Sequence, residues 1–429
     1  MKLIVLIIIV LVLLLAVSLI LTRDLPSTAI TQASPDVYVG IDVAYGDFEA
    51  IKELINEVSS YTNLFIVGCT AITHNATELD RTCQYLYDKD LSFIIYQSEP
   101  IGNYIPSLPA PSNWTRPSNT SISPVPPAFS NGTIPPAAFN WTRPFNVFPV
   151  SNWTETAKTR WGKHFIGLYY VDEPGGRQLD LDPEWTVVKN ASDYEDASSH
   201  FNNAVSSSVN WFRGGYSNWT NVSLFTSDYA LYHFDYKAGY DVLLAQLGWN
   251  YSRQLNLALC RGAATVQNKD WGVIVTWEYT TPPYIESGDK LYSDLILAYN
   301  NGAKYIVVFD SNEGYTQNIL QEEHLDALKQ FWAYIKENPP RSNTVRDRVG
   351  FVIPKDYAFG FRGPKDKIWG LWEADTLSHN LSVSVNVMLE KYGDKLDMIY
   401  YDGLHFGETY GYQQLIYWND SSLTTSPFP

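Results

Sequence analysis

The chain has 429 residues, 45% of them hydrophobic and 15% aromatic, which is enough apolar material for a large core and too much for a disordered chain. Thirty Lys and Arg against 46 Asp and Glu leave a net charge of −16, which excludes nucleic acid as a partner because nothing concentrates positive charge. Fourteen Trp and 30 Tyr with only 18% charged residues imply a polar, aromatic-rich surface, one use of which is stacking on sugars.

Residues 3–21 read LIVLIIIVLVLLLAVSLIL, with Ser18 the only polar position. At about 1.5 Å per residue this helix crosses a hydrocarbon core of about 30 Å, so residues 1–24 are expected to form one transmembrane helix. Lys2 before it and Arg23 after it favour a cytoplasmic N-terminus, a cell-membrane location and an extracellular bulk of the chain. The alternative is a cleaved signal peptide, for which Ser27, Thr28 and Ala29 offer a small-x-small site; the product would be secreted. Residues 25–35 are a linker. Asn-x-Ser/Thr occurs at Asn75, Asn113, Asn119, Asn131, Asn140, Asn152, Asn190, Asn218, Asn221, Asn250, Asn380 and Asn419, which predicts a glycoprotein. Cys69 and Cys83 are close enough in sequence for a short disulfide loop, leaving Cys260 as a buried thiol.

From residue 36 to 340, short apolar runs alternate with helix-length amphipathic stretches, the pattern of a parallel sheet covered on both faces. Eight runs stand out: 37–43 (VYVGIDV), 64–68 (LFIVG), 92–96 (SFIIY), 165–171 (FIGLYYV), 222–225 (VSLF), 241–247 (DVLLAQL), 271–277 (WGVIVTW) and 304–309 (KYIVVF). Eight such units predict a (β/α)8 barrel, with a doubly wound open sheet as the alternative. Asp47, Thr77 and Glu322 are expected to open helices, the last ending at Pro339 and Pro340.

Between the third and fourth runs, an insertion at 99–151 holds half of the 24 prolines and repeats NWTRP at 113–117 and 140–144. It reads either as a lid over the barrel mouth, with Trp114 and Trp141 as stacking platforms, or as a glycosylated spacer. Residues 341–429 carry RDRVGFVIP, a helical stretch near 376–392, KLDMIYYD and QQLIYW, a β-α-β unit with an edge strand. This small C-terminal α/β region is too short for an independent core and is expected to dock on the barrel, with Tyr357, Trp369 and Trp372 either packing there or covering a substrate cleft.

Catalytic groups of such a barrel stand where its strands end. The first strand ends in Asp42, the third in Tyr96, the fourth in Asp172 and Glu173, the sixth in Gln246, the seventh in Trp277, Glu278 and Tyr279, and the eighth in Asp310. Cleaving a glycosidic bond takes a proton for the leaving oxygen and a nucleophile or activated water, which two carboxylates supply. Glu173 and Glu278 are the natural pair, each beside aromatic residues. The seven His show no metal-ligand spacing and no G-x-S-x-G elbow occurs, so no metal, no cofactor and no serine chemistry are expected.

FIGLYYVDEPGG and GVIVTWEY resemble the acid/base and nucleophile strands of clan A glycoside hydrolases, retaining enzymes on a (β/α)8 fold. The resemblance implies Glu173 as general acid/base, Glu278 as nucleophile, and Asp42, Gln246 and Asp310 as contacts to sugar hydroxyls of an oligo- or polysaccharide. The layout is similar to family 42 β-galactosidases, with a shorter tail. That clan usually has Asn before the strand-four Glu; here Asp172 stands there. The Asp-Glu pair resembles the substrate-assisted hexosaminidases, in which the Asp orients a 2-acetamido group and the Glu is the acid. A third reading is a non-catalytic, glycosylated surface protein that binds glycans. The sequence sets no oligomeric state.

Overall fold

The computed structural model describes residues 37–97, 153–214, 222–339, 345–401, 411–419 and 422–426. The apolar runs become eight parallel strands: β1 (Tyr38–Val43), β2 (Leu64–Val67), β3 (Ser92–Tyr96), β4 (Phe165–Tyr169), β5 (Ser223–Asp228), β6 (Val242–Leu247), β7 (Asp270–Val275) and β8 (Tyr305–Asp310). Each pairs with its neighbour in sequence, and β1 closes on β8 through Tyr38 opposite Tyr305 and Asp42 opposite Phe309. The sheet is therefore a closed (β/α)8 barrel and not an open doubly wound one. β5 outruns its apolar stretch because Thr226, Ser227 and Asp228 continue the pairing with β6 and are buried among internal partners.

Helix boundaries follow their caps. Asp47 accepts a hydrogen bond from the Ala50 amide at the start of the helix Phe48–Val58. The helix expected to open at Thr77 opens at Ala76, because Asn75 accepts from the Thr77 and Glu78 amides and is the better cap. The helix Glu322–Glu337 opens where expected, capped by Gln321.

Alternation along the strands builds the barrel interior. Tyr38, Leu64, Ile94, Phe225, Leu244 and Val307 are among the residues that fill it. Stepping along the same inward positions toward the C-terminal ends of the strands, the sequence changes to Asp42, Tyr96, Ser227, Gln246 and Phe309. Greasy layers below and a mostly polar layer above, with Phe309 the apolar member, are thus one pattern with period two.

Beyond the barrel lie β9 (Val349–Ile353), β10 (Leu396–Tyr400), β11 (Gln414–Asn419) and β12 (Ser422–Ser426), in the order β10-β9-β11-β12. β9 runs parallel to both neighbours, and β12 is an antiparallel edge absent from the sequence reading. The helix Thr376–Tyr392, capped by Asp375, links β9 to β10. β10 presses on the barrel helix Arg253–Gln267 so closely that a Cβ at Gly262 would fall 2.1 Å from the Met398 carbonyl oxygen. Beside it, Arg261 donates to Asp397 Oδ1 at 2.6 Å, while Arg348 and the Tyr412 hydroxyl donate to Asp397 Oδ2 at 2.7 and 2.8 Å. Trp369 is fully buried against Phe201 and Phe234, and Tyr194 meets both Tyr357 and Trp372, so these aromatics serve packing.

The expected disulfide is absent: Cys69 and Cys83 are free, buried thiols, and Cys69 instead donates to the Val43 and Tyr45 carbonyls. Cys260 is also free and buried. Among the described residues no helix is long and apolar enough to cross a membrane. The apolar run 3–21 lies outside the described residues, as do the insertion 99–151 with Trp114 and Trp141, and the sequons at Asn113, Asn119, Asn131, Asn140, Asn152, Asn218 and Asn221. Of the other sequons, Asn190 and Asn250 are exposed, Asn75 caps its helix, and Asn380 is half-buried; for Asn419 the backbone alone is described.

Candidate active site

A pocket of about 50 Å³ opens at the C-terminal ends of the strands. It is lined by Asp42, Tyr169, Asp172, Glu173, Ser227, Gln246, Trp249, Ile274, Thr276, Trp277, Phe309 and Tyr315. That volume suits a few water molecules or one edge of a sugar ring, so a larger ligand would rest across the mouth.

The loop after β4 delivers the carboxylates through strained backbone. Val171 and Glu173 adopt the left-handed region with φ of 51° and 57°, at a cost of order 1–3 kcal/mol each for side chains that avoid it. Glu173 then begins the helix Pro174–Asp180, whose first turn is clamped from β5: Gly175 and Gly176 donate their amides to the two oxygens of Asp228 at 2.6 and 2.8 Å. A Cβ on Gly176 would lie 2.2 Å from the Tyr229 ring, so only glycine lets this turn sit so near β5. Trp249 and Tyr315, which form the aromatic wall with Trp277 and Phe309, also have φ above +50°. Four of the twelve non-glycine residues with positive φ among the described residues thus lie on or beside the pocket.

Asp172 is fixed by two donors on one oxygen: the Tyr169 hydroxyl at 2.5 Å and the Ser227 hydroxyl at 2.8 Å, both on its Oδ1. Glu173 Oε1 accepts from Gln246 Nε2 at 2.7 Å, and its Oε2 lies 4.0 Å from Arg177 Nε. Burial, and after it the Asp172 carboxylate, holds the Glu173 carboxyl well above the usual carboxylate range, against the pull of Arg177 and Gln246. Asp42 is raised in the same way, first by burial and then by Asp172. The pocket therefore contains a carboxyl whose protonated form is favoured by burial, beside a fixed aspartate.

Asp42, Asp172, Glu173, Gln246 and Trp277 are brought together on this pocket. Tyr96 packs its ring on Tyr169 at 5.6 Å without lining it. Glu278 stands apart: its carboxylate accepts from Lys290 Nζ at 2.5 Å, Lys290 also binds Glu286, and Glu278 is not among the lining residues. It follows the end of β7, in a loop that turns away from the inward alternation. Tyr279 projects into solvent. Asp310 is fully buried and faces outward from the barrel axis, next to inward Phe309; its oxygens accept from the Ile319 and Leu320 amides and the Tyr45 hydroxyl, so it shapes the loop after β8 and does not reach a ligand.

Sequence reasoning missed Tyr169, Ser227, Trp249 and Tyr315. Inward parity would have found the first two, two residues beyond interior positions of β4 and β5. Trp249 and Tyr315 sit on loops and leave no periodic signal.

No protein-family model matches the chain, and no curated protein sequence matches it. Among solved structures, a β-galactosidase from the psychrophilic Marinomonas ef1 is similar at 10% identity, covering 90% of this chain and 73% of that one, with a TM-score of 0.50. An α-L-fucosidase, isoenzyme 2 from Paenibacillus thiaminolyticus, aligns at 12% identity over 88% of this chain and 59% of that one, with a TM-score of 0.47. At such identities the likeness is one of fold alone, a (β/α)8 barrel.

Proposed function

We propose that the chain is a glycosidase in which Glu173 protonates the leaving glycosidic oxygen. The observation that supports this most is the Glu173 carboxyl, whose protonated form is favoured by burial and by Asp172, on a pocket walled by Trp249, Trp277, Phe309 and Tyr315. Acid, adjacent aspartate and aromatic wall are the parts that glycan cleavage needs, and the similarity of fold to a β-galactosidase agrees with an oligo- or polysaccharide substrate. For the second carboxylate the geometry favours Asp172, which shares the pocket, to position the substituent at C2 of the sugar. The two-glutamate retaining route requires Lys290 to release Glu278 first.

A glycan-binding protein without hydrolysis is the second reading, favoured by that same ion pair. We also propose that residues 3–21 anchor the chain in the cell membrane with the barrel outside, a reading supported by the exposed sequons Asn190 and Asn250.

The test is hydrolysis of a panel of aryl glycosides by the wild type and by Glu173→Gln. An amide at this position keeps the hydrogen bond from Gln246 and carries no acidic proton, so the rate should fall by about 10²–10⁴ with the melting temperature nearly unchanged. Equal rates in the two proteins would remove Glu173 from the chemistry.

A further inference from the structure

Several hydrogen-bond donors of the pocket are engaged with protein acceptors, while the Thr276 and Tyr315 hydroxyls and the Trp249 indole also line it. The Tyr169 and Ser227 hydroxyls both serve Asp172 Oδ1, the two amide hydrogens of Gln246 serve Glu173 and Ser227, and Trp277 Nε1 serves the Ser311 carbonyl. Two carboxyl groups of the pocket also keep acceptor capacity. Asp42, only 8% exposed, accepts no hydrogen bond from any described residue although it lines the pocket, and Asp172 Oδ2 is likewise unused. The Asp42 carboxyl opens on the pocket, so its donors must come from what occupies the pocket, a ligand or water.

The composition of the lining points the same way. Three carboxyl groups line the pocket and no Lys, Arg or His does; Arg177 lies outside the lining, against Glu173. Among the described residues no group of three His, Cys, Asp or Glu is placed to hold a metal ion. An ammonium group fits: it brings one positive charge and three N–H donors that point in different directions. The aromatic wall opposite suits the apolar face of a sugar ring and is tolerant of a cation.

We propose that the pocket selects an amino sugar with a free, positively charged amine, which Asp42 and Asp172 hold between them. The inference rests on the reading of the pocket as a carbohydrate site and narrows its substrate to de-acetylated amino sugars. A free amine has no acyl oxygen to attack the anomeric carbon, so with this substrate the attacking group is a water molecule or a protein carboxylate. Sugars bearing carboxylate or sulfate are disfavoured by the same two aspartates.

The experiment is calorimetric titration of the full-length protein in detergent with glucosamine and galactosamine, with glucose and galactose, and with the two N-acetylated forms. One of the amines should bind at least tenfold more tightly than both its hydroxyl and its N-acetyl counterpart. In Asp42→Asn that preference should fall below about threefold, while the melting temperature stays level or rises because an unpartnered buried carboxyl is gone. Asp42→Ser serves as a second variant if the first does not fold. Equal binding of amine and hydroxyl forms overturns the proposal, and so does preference for an N-acetyl form. Calcium that raises the melting temperature of the wild type and not of Asp42→Asn would assign these carboxylates to a metal and also overturn it. Amine preference with no hydrolysis of any glycoside keeps this inference and removes the catalytic reading; hydrolysis without amine preference does the reverse.

Discussion

Gln246 Nε2 lies 2.7 Å from Glu173 Oε1, an amide from β6 meeting a carboxyl from the loop after β4. The group at hydrogen-bonding distance from the acid is thus neutral, and it orients Glu173 without the full charge that would force it to ionise. Asn256 in turn donates to the Gln246 carbonyl at 2.9 Å, fixing the backbone from which this amide reaches out.

The sign of the pH dependence follows from that arrangement. Glu173 works protonated, so kcat/KM should fall as pH rises through its raised pKa, above the ordinary value of about 4.3. Stability should move the same way. Glu173 and Asp42 are raised by burial and Asp228 is pushed up to about 7, so between roughly pH 4 and 7 the native state binds more protons than the unfolded chain. Their stabilisation is complete below the unfolded pKa and is lost as pH rises through the folded values. A melting series should give a higher midpoint near pH 5 than near pH 8; a midpoint rising across that window contradicts the assignment.

Glu278→Gln separates the mechanisms. With Asp172 and Glu173 as the working pair, the change removes one oxygen charge from an ion pair whose Lys290 is half exposed, and kcat should stay within about fivefold of the wild type. Loss of more than about a hundredfold, with azide restoring turnover, would make Glu278 the nucleophile and show that Lys290 releases it.

Gly176→Ala tests how the acid is positioned. The new methyl would press on the Tyr229 ring, which is itself held by its hydroxyl on Asp180 at 2.5 Å and faced by Arg362. Overpacking of this kind costs about 1–3 kcal/mol. Because the turn carries Glu173, kcat should drop at least tenfold with little change in KM. An unchanged kcat in a folded variant would show that the turn does not set the acid.

Arg261→Met addresses the tail. Arg261 spans from the barrel helix to Asp397 and the Leu396 carbonyl, all buried. Removing one partner of such a buried charge costs about 3–5 kcal/mol. The whole chain should lose stability in a single transition, measured by denaturant unfolding with signals from both regions.

The barrel was legible because each strand is an unbroken apolar run between polar breaks, and the strand boundaries came within three residues. The site was legible only in part, and parity explains the split. Asp42 and Gln246 occupy inward positions and reach the pocket, whereas Asp310, one residue past inward Phe309, was judged by its place at the strand end alone. Glu278 failed differently: it stands three residues beyond β7, where alternation no longer fixes direction and a lysine twelve residues on captures it. The Cys69–Cys83 pairing rested on closeness in sequence, but Cys69 faces the carbonyls after β1 while Cys83 is buried on the helix Ala76–Asp88.

The seam between β10 and the helix Arg253–Gln267 also bears on the order of synthesis. On the ribosome the last barrel helix is complete at Glu337, yet Asp397 emerges about 60 residues later, roughly 3–12 s at 5–20 residues per second. Through that interval Arg261 has no carboxylate to meet and the groove beside Gly262 is open. The finished barrel must wait for the tail as a nascent chain with an uncovered flank, and it is there, rather than at the pocket, that a chaperone would find something to hold.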